Sequence, residues 1–144
     1  LTMESLHYLL MKSHSLFSKR VLGEAAKNGL TPGQPKVLEF LLEAGEADQK
    51  TIAAHCEIEP ATVGSILLRM EENGLILRRQ KAGNRRSLYV SLTDKGLEAA
   101  ARVERIFHGF EADATRGLSV QETELLQSLL SKLCDALQSD TKKE

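Results

Sequence analysis

Residues 48–93 read DQKTIAAHCEIEPATVGSILLRMEENGLILRRQKAGNRRSLYVSLT, and this stretch decides the fold. Asp48 is a helix-capping residue just ahead of Ile52, Ala53 and Cys56, an apolar set at helical spacing. Pro60, tolerated in a first helical turn, opens a second segment in which Val63, Ile66, Leu67 and Met70 share one stripe, and Asn73-Gly74 closes it. Ala53 is small where two helices must approach closely. The period then changes. Leu75-Ile76-Leu77 and later Leu88, Val90 and Leu92 alternate with polar or basic residues around Ala82-Gly83-Asn84, which predicts a β-hairpin with about 77–80 pairing with 87–91. Two short helices, 48–56 and 60–73, followed at once by a basic hairpin make a winged helix-turn-helix. Two details fit less well: Glu57 stands in the turn where glycine would be easier, and Glu59 precedes Pro60 where Ser, Asp or Asn would cap. The competing reading is a helical hairpin inside an all-α core.

Outward from this lobe the pattern is helical. Met3, Leu6, Leu9, Leu10, Leu16, Phe17, Val21 and Leu22 recur at steps of three and four, so an amphipathic helix should end near Asn28-Gly29. Thr31-Pro32-Gly33-Gln34 reads as a capping box with Pro32 at the first helical position, opening a helix through Val37, Leu38, Leu41 and Leu42 that Gly45 stops. Thr93-Asp94 restarts a helix through Val103 and Phe107, expected to bend near Gly109. Ser119-x-x-Glu122 is another capping box, launching a last helix with Leu125, Leu126, Leu129, Leu130, Leu133 and Leu137, and 139–144 reads as a polar tail. The expected class is mainly α with a small β-hairpin. The division is 1–30 as an N-terminal dimerisation helix, 31–95 as the winged lobe, and 96–140 as C-terminal helices completing the dimerisation region.

The chain has 144 residues, 42% hydrophobic, enough for one compact domain or two short intertwined ones rather than a disordered coil. Apolar runs fall short of a membrane span and the N-terminus has no signal pattern, so a cytoplasmic protein without membrane partners is expected. Cys56 and Cys134 form no Cys-x-x-Cys motif, and a reducing compartment fits them. The net charge of −1 hides a lopsided distribution: residues 1–60 carry −2, 61–93 carry +4 and 94–144 carry −3. From Asn73 to Thr93 there are five cations (Arg78, Arg79, Lys81, Arg85 and Arg86) and no acid. Holding such a cluster together favours a polyanionic partner.

The run Gly29-Leu30-Thr31 with Gln34 and Val37-Leu38, then Ile52-Ala53, Thr62-Val63, Glu71-x-x-Gly74-Leu75-Ile76-x-Arg78, Asn84-Arg85-Arg86 and Val90-x-Leu92-Thr93-x-x-Gly96 resembles the MarR family (multiple antibiotic resistance regulators) over nearly the whole chain. The resemblance implies a homodimeric bacterial transcriptional regulator, a repressor. Its terminal helices would form the dimer base, and its two winged lobes would grip a pseudo-palindromic double-stranded DNA operator. It further implies release by a small aromatic effector, with a metal- or oxidant-responsive member as an alternative. The chain departs from the family at the wing tip, where Asn84 stands in the position of an Asp while Arg86 is retained. Asn can hydrogen-bond but cannot form the ion pair that would orient an arginine.

Off the apolar stripe of the recognition helix lie Thr62, Ser65 and Arg69, the polar candidates for a major groove, with Leu68 beside them. Lys36 and Lys50, near the starts of their helices, are candidates for phosphate. In the wing, Arg86 is expected in the minor groove and Arg85 on phosphate, whereas Arg78 lies lower on the strand, facing backbone or an internal partner. Tyr8, Met11, His14, Phe17 and Phe40 supply aromatic and adaptable side chains for an effector cavity where the dimer base meets the lobe, although core packing explains them equally well.

No catalytic constellation emerges, and no cofactor or metal is expected. His7 with His14, and His108 near Glu104 and Glu111, lack the further ligands of a metal site. Cys56 and Cys134 both fall among apolar residues, where a thiol behaves as a small hydrophobe. A protein-binding winged-helix module is disfavoured by the basic wing. A small enzyme is disfavoured by the lack of paired carboxylates, a Ser/His/Asp set or a phosphate loop.

Overall fold

The computed structural model describes residues 3–81 and 84–142, the side chains at 81, 84–87, 141 and 142 excepted. The elements run α1 (Leu6–Lys27), α2 (Gln34–Ala44), β1 (Glu46–Asp48), α3 (Gln49–Cys56), α4 (Pro60–Glu72), β2 (Ile76–Lys81), β3 (Asn84–Leu92), α5 (Asp94–Ala114) and α6 (Val120–Lys142). The chain divides into a larger unit, Leu1–Phe110, and a smaller one, Glu111–Glu144.

Helix α1 starts at Ser5, whose hydroxyl accepts from the Tyr8 amide, and ends at Asn28 as expected. Only Val21 and Ala25 of this helix are buried; Leu6, Met11 and Leu16 are each more than half exposed. Helix α2 begins later than the sequence suggests. Thr31 and Gln34 do make one half of a capping box, the Gln34 Oε1 accepting from the Thr31 amide at 3.2 Å. Yet Gly33 has φ of +90°, so Pro32 lies in a turn and Pro35 takes the place near the helix start. The backbone at Gly33 also runs close to α4: a Cβ there would lie 2.5 Å from Ile66 Cδ1.

The core of the larger unit gathers Leu38 and Leu41 of α2, Ile52 of α3, Leu67 and Met70 of α4 and Ile76 of β2, all less than 2% exposed. Burial of each such side chain contributes about 1.5–3 kcal/mol. The antiparallel sheet has the order β1-β3-β2, so the expected hairpin gains a third strand, with Ala47 paired to Val90. Three residues are too few to show alternation, which is why β1 escapes a sequence reading. Helix α5 is tied to the lobe through its first turn. Thr93 Oγ1 accepts from the Gly96 amide and donates to the Gly74 carbonyl, and any side chain at 96 would run into the Leu75 carbonyl. That contact is the physical content of the Gly74-Leu75 and Thr93-x-x-Gly96 pattern.

Helix α5 continues through Gly109 to Ala114. Two expectations need correction. Helix α6, opened by the reciprocal Ser119–Glu122 box, runs on to Lys142, so residues 139–142 are helical rather than a tail. Its leucines at 125, 126, 129, 130 and 137 are 39–59% exposed, and Cys134 among them is exposed too.

Candidate nucleic-acid interface

The helix-turn-helix is built from its caps. The Asp48 carboxylate accepts from the Thr51 amide at 2.8 Å, and this backbone hydrogen bond, with the Thr51 hydroxyl behind it, lowers the Asp48 pKa. At the other end of α3 the Glu57 and Ile58 amides return to the Ala54 and Ala53 carbonyls, and Glu57 takes the left-handed conformation, φ 55° and ψ 48°. The imperfect turn residue is thus held in the strained geometry by a Schellman-type pattern. No side chain caps α4, whose first turn contains Pro60.

Val63, Leu67 and Met70 are fully buried, and this rotates the opposite face of α4 outward. Thr62, Ser65 and Arg69 are all exposed on it, with Leu68 half exposed between them. Gly64 lies close to the Gln49 side chain of α3, which permits the tight crossing. Glu71 of α4 turns to Arg78 of β2. The guanidinium donates through Nε and Nη2 to both carboxylate oxygens, at 3.3 and 3.2 Å. Arg78 pairs with Val90 in the sheet register, and its side chain is only 16% exposed. Arg78, expected on DNA backbone or on an internal partner, here makes the internal pair, a strap between strand and recognition helix. Arg79, on the other face, pairs with Glu46 of β1 at 2.6 Å.

The hairpin carries a register shift between Gln80 and Lys81, an irregularity of the kind that increases twist. Ala82 and Gly83 at its tip, and the side chains of Asn84, Arg85 and Arg86, lie outside the described residues. Lys50 is exposed and borders an open cleft of about 380 Å³ with Glu57, Glu59 and Pro60. Lys36 has a different setting: its ammonium donates to the Cys56 carbonyl at 3.4 Å.

A second cavity, of about 210 Å³, lies among α1, the turn into α2 and α5. His14 and Phe17 line it as expected, together with Ser18, Val21, Pro32, Gly33, Lys36 and Phe107. Phe17 is fixed there by ring contacts to Phe107 at 6.0 Å and Phe110 at 4.8 Å. Three expected lining residues are elsewhere. Tyr8 and Met11 lie on the exposed first half of α1, which the helical rise of about 1.5 Å per residue carries away from Phe17, and Phe40 of α2 stacks on His55 at 4.3 Å. Lys36 and Phe107 were not legible as lining residues because the cavity joins segments distant in sequence. Burial raises the pKa of the Cys56 thiol, with Lys36 opposing and Glu39 adding to the shift. Among the described residues no three His, Cys, Asp or Glu side chains are grouped to hold a metal, and no helix is long and apolar enough to cross a membrane.

Residues 30–88 match the family model described as MarR family. The chain is 34% identical to the HTH-type transcriptional repressor MdtR of Bacillus subtilis over 89% of this chain and 84% of that one. It is 32% identical to the homoprotocatechuate degradative operon repressor of Escherichia coli, over 73% of this chain and 74% of that one. Among solved structures, the S. aureus MepR–DNA complex superposes with a TM-score of 0.81 at 26% identity, over 94% of this chain and 99% of that one.

Proposed function

The chain belongs to the MarR family, and we propose that it is a sequence-specific double-stranded DNA-binding transcriptional repressor, acting as a homodimer on a pseudo-palindromic operator. The observation that carries this reading is the outward face of α4, where Thr62, Ser65 and Arg69 stand exposed while Val63, Leu67 and Met70 lock the helix from behind. Arg69 suits a guanine edge, Thr62 and Ser65 suit a base edge or phosphate, and Lys50 suits the backbone. Arg85 and Arg86 of the wing extend the contact to phosphate and minor groove. A dimer explains the bare apolar residues of α1 and α6, which a single chain leaves in water. Such a protein works in the cytoplasm and needs no catalytic group.

The 210 Å³ cavity is the place for a small aromatic effector, with Phe17 and Phe107 as the apolar wall. Selection of genomic fragments by the purified protein tests the main reading. The expected result is enrichment of fragments containing an inverted repeat, with affinity falling steeply and linearly in log–log salt plots. Equal retention of all fragments, or binding insensitive to salt, would overturn it. A panel of small aromatic acids should weaken operator binding; no effect on affinity or melting temperature would remove the effector.

A further inference from the structure

Helix α4 turns one row of side chains directly away from the lobe. Val63, Ile66, Leu67 and Met70 face the core, and at about 100° per residue the row opposite them is Ala61, Ser65 and Leu68, with Glu72 at its end. All of this row is exposed, Leu68 to 50%. Thr62 and Arg69 stand on one flank of it. The other flank offers a base little, since Gly64 has no side chain and Glu71 is held by Arg78. The face that points straight out therefore presents a methyl, a hydroxyl and an isobutyl group in succession. Glu72 bounds the inserted length, because a carboxylate among phosphates is repelled, so the row within a groove runs from Ala61 to Leu68.

We propose that Leu68 is a specificity residue that reads the C5 methyl group of a pyrimidine in each operator half-site. This rests on the reading of α4 as the helix that enters the major groove, and adds the chemistry of one base beneath it. A half-exposed leucine is ordinary on a protein surface. In a row that enters a groove it is not, because the base edge it meets must match it. The apolar feature of the major groove is the thymine methyl; the other groups on the base edges are hydrogen-bond donors and acceptors. A leucine pressed on those would strip their water and return no bond. A thymine therefore lies under Leu68. A cytosine in that place is improved by methylation at C5, which puts a methyl group at the same point of the groove.

The test uses an operator fragment selected by the wild-type protein, remade with each thymine in turn replaced by deoxyuridine. That exchange removes the C5 methyl and leaves every hydrogen-bonding atom in place. Fluorescence anisotropy at fixed salt measures binding by the full-length wild type, Leu68→Ala and Leu68→Asn. The wild type should lose about fourfold in affinity at one thymine of each half-site, the worth of one methyl group taken out of water. Both variants should bind the thymine and deoxyuridine forms alike at that position, keep any discrimination elsewhere, and retain the wild-type log–log salt slope, since no phosphate contact is lost. With cytosine at that position, methylation at C5 should restore about fourfold for the wild type and nothing for either variant. If no fragment is selected, the DNA reading fails and the proposal falls with it. If a fragment is bound with the expected salt dependence, but the wild type ignores deoxyuridine at every position or the variants keep its discrimination at all of them, the proposal alone is overturned. Should Leu68→Ala not fold, the near-isosteric Leu68→Asn decides.

Discussion

Removing either partner of the Glu71–Arg78 strap should weaken fold and DNA binding together. The pair is bidentate, with N–O distances of 3.2 and 3.3 Å. Arg78 is 16% exposed and Glu71 41% exposed, so the pair sits between a surface ion pair and a buried one. Exposed pairs contribute about 0–1 kcal/mol, and breaking a buried pair costs about 3–5 kcal/mol. Solvent at Glu71 pulls the estimate toward the lower range. Glu71→Ala should therefore cost about 1–2 kcal/mol, chiefly by stranding a nearly buried guanidinium, with a coupling energy of about 1 kcal/mol in the Glu71→Ala/Arg78→Met cycle. Urea denaturation of the four proteins at fixed protein concentration measures this. Operator binding separates the strap from a direct contact. If Arg78 acts by positioning the hairpin, both single variants weaken binding and neither changes the log–log salt slope. If Arg78 touches phosphate, its loss makes the slope shallower by about one per protomer, and Glu71→Ala, which frees a cation, tightens binding. That second pattern, or a coupling energy below about 0.3 kcal/mol, would refute the reasoning.

In the wing, Arg86→Ala should cost about 1–3 kcal/mol per half-site and relax a preference for A·T flanks, whereas Arg85→Ala should weaken all sequences alike; titrations on A·T- and G·C-flanked operators check both. Glu57→Gly should raise stability by about 0.5 kcal/mol, because relief of the left-handed conformation slightly exceeds the added chain entropy, and a lowered urea midpoint would count against it. Asp48→Asn should narrow its deficit relative to wild type in acid. The folded Asp48 pKa lies below its ordinary 3.8, so the contribution of the charged cap is complete above that pH and fades as pH falls through the folded value; a difference unchanged from pH 6 to pH 2.5 would exclude it. Leu126→Glu with Leu129→Glu should shift the mass in light scattering from dimer toward monomer, and a dimer that survives would place the interface elsewhere.

The lobe was legible because its signals are local. Asp48, Pro60, Asn73-Gly74 and Ser119-x-x-Glu122 satisfy or end the free backbone groups of single helices, and the stripe of Val63, Leu67 and Met70 carries its own period. An exposed α4 face therefore followed from spacing alone, as did the basic hairpin. The partners of individual side chains did not. Spacing marks Arg78 as one cation of five; only the strand register, which turns it inward beside Val90, gives it to Glu71. Lys36 is an exposed lysine at a helix start, as its position suggests, but only the folded chain brings it to a carbonyl twenty residues away and to a cavity walled by Phe17 and Phe107. Phe40 and Tyr8 had the right chemistry for that cavity, but tertiary packing set them on other surfaces. Caps and periods are written in neighbouring residues. Ion pairs and cavities are made by chain segments that meet only after folding, so a sequence names their chemistry without naming their partners.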